Sequence, residues 1–178
     1  MRAFAILLFF MGILSLSKND KDGNSDKEKY RFVTFAVGEY VHLGGSGIAA
    51  KFRAPEGIAV AQNGNLYVSE YGSSVIRKIT SDGLVTTLAG KDMETGTADG
   101  SLSEARFNHP HGIAVDAQLN VFVADMLNAR IQVFTADGEY VRFFGERGTY
   151  PQQMESPKDL AFDSDGNLYL TDTRRPNF

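Results

Sequence analysis

Short runs of apolar residues recur along most of the chain, and each run is bounded by residues that favour turns. From Tyr30 onward these runs are rich in Val, Ile, Leu, Phe and Tyr, which is the composition of β-strands. Asn63-Gly64 and Asp165-Gly166 are typical of hairpin turns, because Gly adopts a positive φ at little cost. No part of this region shows the 3.6-residue period of a long helix. The pattern therefore predicts an all-β domain of short antiparallel strands.

The same succession of runs occurs three times. Matching prolines at Pro55, Pro110 and Pro157 start the repeats, and they lie 55 and then 47 residues apart. The insert 91–105 accounts for the longer first spacing. Two copies continue through four matching runs: Pro55–Val60 and Pro110–Val115, Asn65–Glu70 and Asn120–Asp125, Val75–Ile79 and Arg130–Phe134, Leu84–Gly90 and Tyr140–Gly145. The repeated unit is predicted to be a four-stranded antiparallel meander.

Several strands of the repeat, such as GIAV, LYVS and VFVA, are apolar on both faces instead of alternating. A sheet with one solvated face alternates, whereas a sheet packed between two others need not. Repeated four-stranded sheets that are covered on both faces describe the blades of a β-propeller. The alternative is a stacked solenoid, which usually repeats at a shorter period with fewer strands per unit.

The repeat resembles the NHL repeat over about Phe32 to Asp172. The resemblance rests on P-x-G-I-A-V, on G-N-L-Y-V-S-E and its counterparts, and on an arginine near the third strand. Residues 97–100 of the insert, together with Ala105-Arg106-Phe107, and the run Leu84–Gly90 resemble the versions found in secreted bacterial NHL propellers. The resemblance implies a β-propeller, commonly with six blades, that mostly serves as a binding scaffold.

The chain supplies fewer repeats than a closed ring needs, since propellers typically have about 4–8 blades. Repeats near 54–90 and 109–145 are complete, and a third near 156–178 holds about two strands. The run 32–38 resembles a fourth strand and is predicted to close a preceding blade. We therefore expect an incomplete or truncated propeller of about two and a half to three blades within residues 30–178. Its open blade edges favour self-association.

The N-terminus has the pattern of a secretory signal peptide over residues 1–17. An apolar run of twelve residues, 3–14, follows Met1-Arg2, and Ser15 and Ser17 provide small residues for a cleavage site. The run is short for a bilayer span; a buried N-terminal helix or an uncleaved anchor is the alternative. Residues 18–29 are predicted to be a disordered charged linker. The expected location is secreted, periplasmic or at the cell surface, with no membrane span after cleavage.

Composition, charge and the absence of known motifs argue against several classes of function. The chain has no cysteine, which excludes disulfides, thiol catalysis and thiolate metal sites. A net charge of −4 provides no basic field for a nucleic-acid partner. The motifs of P-loop nucleotide binding, zinc proteases, serine hydrolases and dinucleotide binding do not occur. No cofactor is predicted, and a role other than catalysis is favoured.

The residue after each repeat proline is the candidate binding position: Glu56, His111 and Lys158. In a propeller these positions lie near the central channel, so the three side chains are predicted to face a common space. The repeat also resembles that of amidating lyases, in which histidines at such positions bind zinc. Only His111 matches, and Lys158 would oppose a metal, so no metal ligand or catalytic residue is assigned. His109 precedes the repeat proline, where the other repeats have Ala54 and Ser156, so it is an unrepeated loop residue, and His42 lies in the irregular segment before the first repeat.

An acidic residue closes the second strand of each repeat: Glu70, Asp125 and Asp172. Three acids at one repeat position would suit a calcium or lactonase-type cluster. A repeated residue more often does repeated structural work, such as capping a turn or pairing with Arg77 and Arg130. The structural interpretation is favoured.

Three functions stay open at this point. The favoured one is a secreted NHL-repeat segment that acts as a non-enzymatic scaffold and binds a protein, peptide or glycan at its loop face. The second is a metal-dependent lyase or lactonase that works in the central channel through His111 and Glu56. The third is a truncated gene product without independent function.

Overall fold

A computed structural model describes residues 4–9, 12–18, 30–38, 44–46, 49–151 and 153–173. Within these residues no helix is long and apolar enough to cross a bilayer. The regular structure is dominated by β-strands, which confirms the predicted all-β class. The strands are β1 Phe4–Phe9, β2 Gly12–Lys18, β3 Tyr30–Gly38, β4 Gly45–Ser46, β5 Lys51–Phe52, β6 Pro55–Val60, β7 Leu66–Glu70, β8 Val75–Ile79, β9 Leu84–Gly90, β10 Pro110–Val115, β11 Val121–Asp125, β12 Arg130–Phe134, β13 Tyr140–Phe144, β14 Pro157–Phe162 and β15 Leu168–Asp172.

The repeats fold as successive antiparallel sheets. The first repeat forms blade 1 (β6 to β9) and the second forms blade 2 (β10 to β13), each an antiparallel meander in chain order. The third repeat forms blade 3, whose described part is the pair β14 and β15. The predicted four-stranded meander is therefore confirmed in both complete repeats. The short strand β4 was not predicted; it pairs with β9 and makes blade 1 five-stranded.

The N-terminal residues form a separate sheet in the order β1, β2, β3, β5. Strand β3, which the sequence predicted as the end of a preceding blade, pairs antiparallel with β2 and parallel with β5. The predicted signal peptide covers β1 and all of β2 except Lys18, and its removal stays a prediction. The predicted linker lies outside the described residues apart from Lys18, and so does His42.

Apolar clusters fill the spaces between successive sheets. One lies between blades 1 and 2, a second between β5 and blade 1, and a third between blades 2 and 3. All five residues of β7 and of β11 are buried. Both faces of these strands are thus covered, as their non-alternating sequences predicted. The largest buried side chains of the first cluster are Tyr67, Phe107, Phe134 and Ile76.

The first strand of each blade, β6, β10 or β14, is called its inner strand. The glycine of the P-x-G motif lets neighbouring inner strands approach closely. A Cβ atom at Gly57 would lie 2.4 Å from the carbonyl oxygen of His111 on the next inner strand. A Cβ atom at Gly112 would lie 2.4 Å from the carbonyl oxygen of Lys158. Both contacts are with backbone, so a side chain could not be accommodated by a rotamer change. The third repeat has Asp159 at this position.

The insert between the first two repeats fastens blade 1 to blade 2. The Asp99 carboxylate accepts a 2.7 Å hydrogen bond from Arg130. The Ser101 hydroxyl accepts a 2.8 Å bond from the backbone N–H of Tyr140, and the N–H of Leu102 donates to the carbonyl of Gly138. The insert therefore braces the outer strands of blade 2, and its polar groups are used within the fold.

Candidate functional site

The structure places the three predicted site residues at the second position of successive inner strands. Glu56 lies on β6, His111 on β10 and Lys158 on β14. Glu56 and His111 are brought together, with 3.8 Å between Oε2 and Nε2. Their side chains are 42% and 28% exposed, so both are accessible to a ligand. Lys158 is half-buried on the neighbouring strand, and in the described part of the chain no hydrogen bond or ion pair joins it to either residue.

Glu56, His111 and Lys158 together form what we call the inner-strand row, and this row has the chemistry of a polar binding surface. It places a carboxylate, an imidazole and an ammonium group on three adjacent strands, so it can accept and donate hydrogen bonds. Catalytic zinc sites use three protein ligands, whereas Glu56 and His111 supply two donors. No group of three or more His, Asp or Glu side chains that could hold a metal occurs within the described ranges.

His109 has a structural environment. Its Nδ1 lies 2.8 Å from the side-chain oxygen of Asn108, and its ring centroid lies 4.3 Å from that of Tyr71. Its backbone φ is +57°, an uncommon value for a residue with a side chain. His109 thus links the loops of blades 1 and 2. Its counterpart in the first repeat, Ala54, also has a positive φ, of +45°, so the backbone conformation belongs to the position and not to the histidine.

Glu70 organises a buried network in blade 1. One carboxylate oxygen accepts a 2.6 Å bond from Arg77, and both side chains are 0% exposed. The other oxygen accepts the backbone N–H of Arg53 at 2.9 Å and the hydroxyl of Ser73. A buried carboxylate needs such partners, because an unpaired buried charge is very costly. Glu70 therefore joins the end of β7, the third strand and the segment that leads into β6.

Asp125 plays the same part in blade 2 with different partners. It accepts the N–H of Asn108 at 2.7 Å, the side chain of Asn128 at 2.8 Å and Arg130 Nε at 2.8 Å. Gln132 adds a 3.1 Å bond. Burial raises the pKa of the Asp125 carboxyl, and the donors from Asn108, Asn128 and Arg130 oppose that shift. The structural interpretation of the repeated acids is thus confirmed in blades 1 and 2.

Asp172, the third repeated acid, has a smaller set of partners. It accepts the backbone N–H groups of Glu155 at 3.0 Å and Ser156 at 2.7 Å. These donors match Arg53 and Asn108 in the other blades, because they belong to the segment that leads into the inner strand. No cation contacts the Asp172 carboxylate among the described residues.

A cleft of about 780 Å³ between blades 2 and 3 was not found by sequence reasoning. Its apolar lining consists mainly of Phe122, Phe144, Phe162, Leu168 and Leu170. The Phe122 ring makes edge contacts with the rings of Phe162 and Phe144, at centroid distances of 5.0 Å and 6.5 Å.

Comparisons with known proteins identify the repeat. Residues 107–134 match the family model described as NHL repeat. Human NHL repeat-containing protein 3 is 31% identical over 124 residues, which is 67% of this chain and 32% of that protein. The chain therefore spans about a third of the length of this relative.

Solved structures share the fold at low sequence identity. An auxiliary nutrient binding protein from Bacteroides thetaiotaomicron superposes with a TM-score of 0.60 and 14% identity, over 96% of this chain and 43% of that chain. A catalytically inactive virginiamycin B lyase from Staphylococcus aureus gives a TM-score of 0.54 and 14% identity, over 97% and 54%. At such identities the likeness shows the fold alone, and the fold accommodates both binding proteins and enzymes.

Proposed function

Because the chain is an NHL-repeat protein with the blades of a β-propeller, we propose that it is a secreted, non-enzymatic binding scaffold. NHL propellers generally mediate protein interactions. One observation carries the proposal: the buried acids Glu70 and Asp125 are fully engaged in holding the blades together, whereas Glu56, His111 and Lys158 stay accessible. The residues of the inner-strand row therefore have hydrogen-bonding groups that a ligand can reach.

The row favours a polar ligand that is recognised by several blades at once. A ligand that spans the three strands would meet a carboxylate, an imidazole and an ammonium group in succession. A peptide or a glycan offers donors and acceptors along its length, and side chains on rigid strands hold their geometry well. The partner is therefore a protein, peptide or glycan ligand.

A second candidate function is a metal-dependent lyase or lactonase. The 3.8 Å approach of His111 to Glu56 favours it, since both residues are suitable metal ligands. The site would need at least one further protein ligand and an open position for substrate.

Binding and metal analyses of the same protein separate the two candidates. We expect the chain to retain a ligand on peptide or glycan arrays, and we expect Glu56→Ala/His111→Ala/Lys158→Ala to lose it. Glu139→Ala/Lys91→Ala is the matched control, because both side chains are exposed and lie on outer strands or loops. Elemental analysis of the purified chain should show no stoichiometric zinc or calcium; a bound metal that His111→Ala releases would favour the enzyme.

A further inference from the structure

Two contacts between blades 1 and 2 lie next to each other on the accessible surface. In one, Oε2 of Glu56 on β6 lies 3.8 Å from Nε2 of His111 on β10. In the other, the rings of Tyr71 and His109 meet at a centroid distance of 4.3 Å. His109 comes two residues before His111 in the chain, so the Cα atoms of the two histidines are roughly 6–7 Å apart. A pair of rings and a polar pair therefore adjoin on the blade 2 side.

The blade 1 side brings the same two pairs together. The backbone N–H of Tyr71 donates a 3.0 Å hydrogen bond to the carbonyl oxygen of Ala54, and Ala54 comes two residues before Glu56. Ala54 is exposed, and its counterpart in blade 2 is the much larger His109. A large side chain at position 54 would occupy the surface beside Tyr71 and Glu56, whereas the methyl group of alanine leaves that surface accessible.

The groups at this place suit a sugar ring. Tyr71 and His109 are half-buried, and their ring planes are inclined by 58°, so neither ring fully covers the face of the other. The electron-rich face of an aromatic ring attracts positively polarised hydrogens, such as the C–H groups on the face of a sugar. The Glu56 carboxylate accepts hydrogen bonds, and the His111 imidazole can donate or accept them. Sugar hydroxyl groups do both, so one sugar unit can use the rings and the polar pair together.

The charged groups nearby favour a ligand without charge. A cationic ligand would meet the ammonium group of Lys158 on the next inner strand, and an anionic ligand would meet the carboxylate of Glu56. Peptide side chains that stack on rings are mostly apolar and would place apolar atoms against the polar pair. A neutral carbohydrate avoids each of these costs.

We propose that Glu56, Tyr71, His109 and His111 form a binding site for a neutral carbohydrate, which we call the seam site. The seam site depends on the proposed function, because it shares Glu56 and His111 with the inner-strand row. It extends that row with an aromatic pair and narrows the ligand to one chemical class.

An array that carries neutral, sialylated and sulfated oligosaccharides tests the ligand class with the full chain. We expect retention of neutral oligosaccharides alone. Titration calorimetry with the neutral oligosaccharide that gives the strongest signal then measures the affinity. Tyr71→Ala should weaken binding about twofold to tenfold, because a stacking contact is lost. Tyr169→Ala is the matched control and should leave the affinity unchanged, since it removes an exposed tyrosine from blade 3.

His109→Gly separates the role of the imidazole in binding from its role in the fold. Glycine adopts a φ of +57° more readily than histidine does, and this gain offsets the lost ring contact. The variant should therefore unfold at the same temperature as the parent protein or at a higher one, while its affinity for the oligosaccharide falls at least about twofold.

Glu56→Gln tests the polar pair. It keeps the size of the side chain and should weaken binding about tenfold, because hydrogen bonds to a carboxylate are stronger than those to an amide. Glu139→Gln, at an exposed position in a turn of blade 2, is the control and should bind as the parent protein does.

The outcomes distinguish the seam site from the proposed function. Retention of charged glycans alone, or unchanged affinity in both Tyr71→Ala and His109→Gly, would overturn the seam site. Retention of peptides but of no glycan, with loss in the triple variant of the inner-strand row, would also overturn the seam site and would leave the proposed function intact. Failure to retain any glycan or peptide would overturn both.

Discussion

Blades 2 and 3 arise from the same repeat, yet equivalent residues have very different environments. Phe122 is 8% exposed, and its counterpart Tyr169 is 60% exposed. Val123 is 0% exposed, and its counterpart Leu170 is 37% exposed. Strands β10 and β12 both pair with β11, and the Phe122 ring packs on Phe162 of blade 3, whereas β14 is the only described strand that pairs with β15. Burial in a repeat protein is therefore set by the neighbouring unit as much as by the repeat itself.

The blades also differ in how their acids and glycines are used. Asp125 is 0% exposed and pairs with Arg130, while Asp172 is half-buried and contacts backbone N–H groups. Gly112 touches the backbone of the next inner strand, while its counterpart Asp159 is exposed. Alanine can therefore be introduced at equivalent positions of blades 2 and 3, Asp125 and Asp172 or Gly112 and Asp159, and its effects compared.

The largest difference is expected for the acids. Asp125→Ala removes the buried partner of Arg130, which keeps only the half-exposed Asp99, and leaves the donors of Asn108 and Asn128 unpaired; it should lower the free energy of unfolding by about 3–5 kcal/mol. Asp172→Ala removes two hydrogen bonds from a half-buried site and should cost about 1–2 kcal/mol. Urea unfolding of both variants measures the difference.

The variant Asp125→Asn separates the contribution of the Asp125 charge from that of its size. Asp125→Asn keeps the size of the side chain but removes its charge, so it should recover only part of the loss. Equal losses for Asp125→Ala and Asp172→Ala would contradict the comparison, because they would mean that Arg130 contributes nothing beyond the backbone contacts.

A smaller difference is expected at the P-x-G position. Gly112→Ala would push a Cβ atom to 2.4 Å from the Lys158 carbonyl oxygen and 2.6 Å from the Asp159 Cα atom. Such overpacking against backbone should destabilise the chain by about 1–3 kcal/mol. Asp159→Ala, at the equivalent exposed position, removes one hydrogen bond from the backbone N–H of Leu160 at 2.9 Å and should cost no more than about 1 kcal/mol. A neutral Gly112→Ala in thermal unfolding would show that blades 2 and 3 do not need this close approach.

Much of the fold could be predicted from the sequence because its signals are local and repeated. Apolar runs with Asn-Gly and Asp-Gly turns define the strands of blades 1 and 2, and repetition confirms each assignment. Strand β4 and the parallel pairing of β3 with β5 could not be predicted, since two-residue strands have no pattern of their own. The use of Gly112 likewise depends on the next blade, which is a tertiary contact.

The candidate site was predictable only in part. The shared repeat position was enough to predict that Glu56 and His111 lie close together, because equivalent residues of adjacent inner strands are neighbours. The repeat did not show that the arginine moves from the third position of β8 to the first position of β12. That shift accompanies the change from Glu70 to the shorter Asp125, with Gln132 at the vacated position. Side-chain length and packing decide it, and neither follows from periodicity.

The smallest expected difference concerns the first hairpin turns of blades 2 and 3. Asp116 and Asp163 each accept hydrogen bonds from the backbone and side chain of an asparagine four residues later. In blade 3 the exposed Tyr169 adds a 3.1 Å bond from its hydroxyl to Asp163. The Asn167 side chain is the main cause of a lowered pKa of the Asp163 carboxyl, with smaller contributions from backbone donors and Tyr169.

A lowered pKa in the folded state means that Asp163 stabilises the fold above the ordinary carboxyl pKa of about 3.9. This contribution is lost as the pH falls through the lower folded-state pKa. Thermal unfolding of the protein and of Asp163→Asn should therefore differ at pH 7, and the difference should diminish as the pH falls through the lowered folded-state pKa of Asp163. Tyr169→Phe should raise the pKa of Asp163 in a carboxyl NMR titration by less than Asn167→Ala does, because Tyr169 contributes less. Ser164→Ala, in the same turn, is the control. A larger change in the pKa of Asp163 for Tyr169→Phe than for Asn167→Ala would contradict this order, because it would mean that the exposed tyrosine, and not the turn shared with blade 2, stabilises the carboxylate.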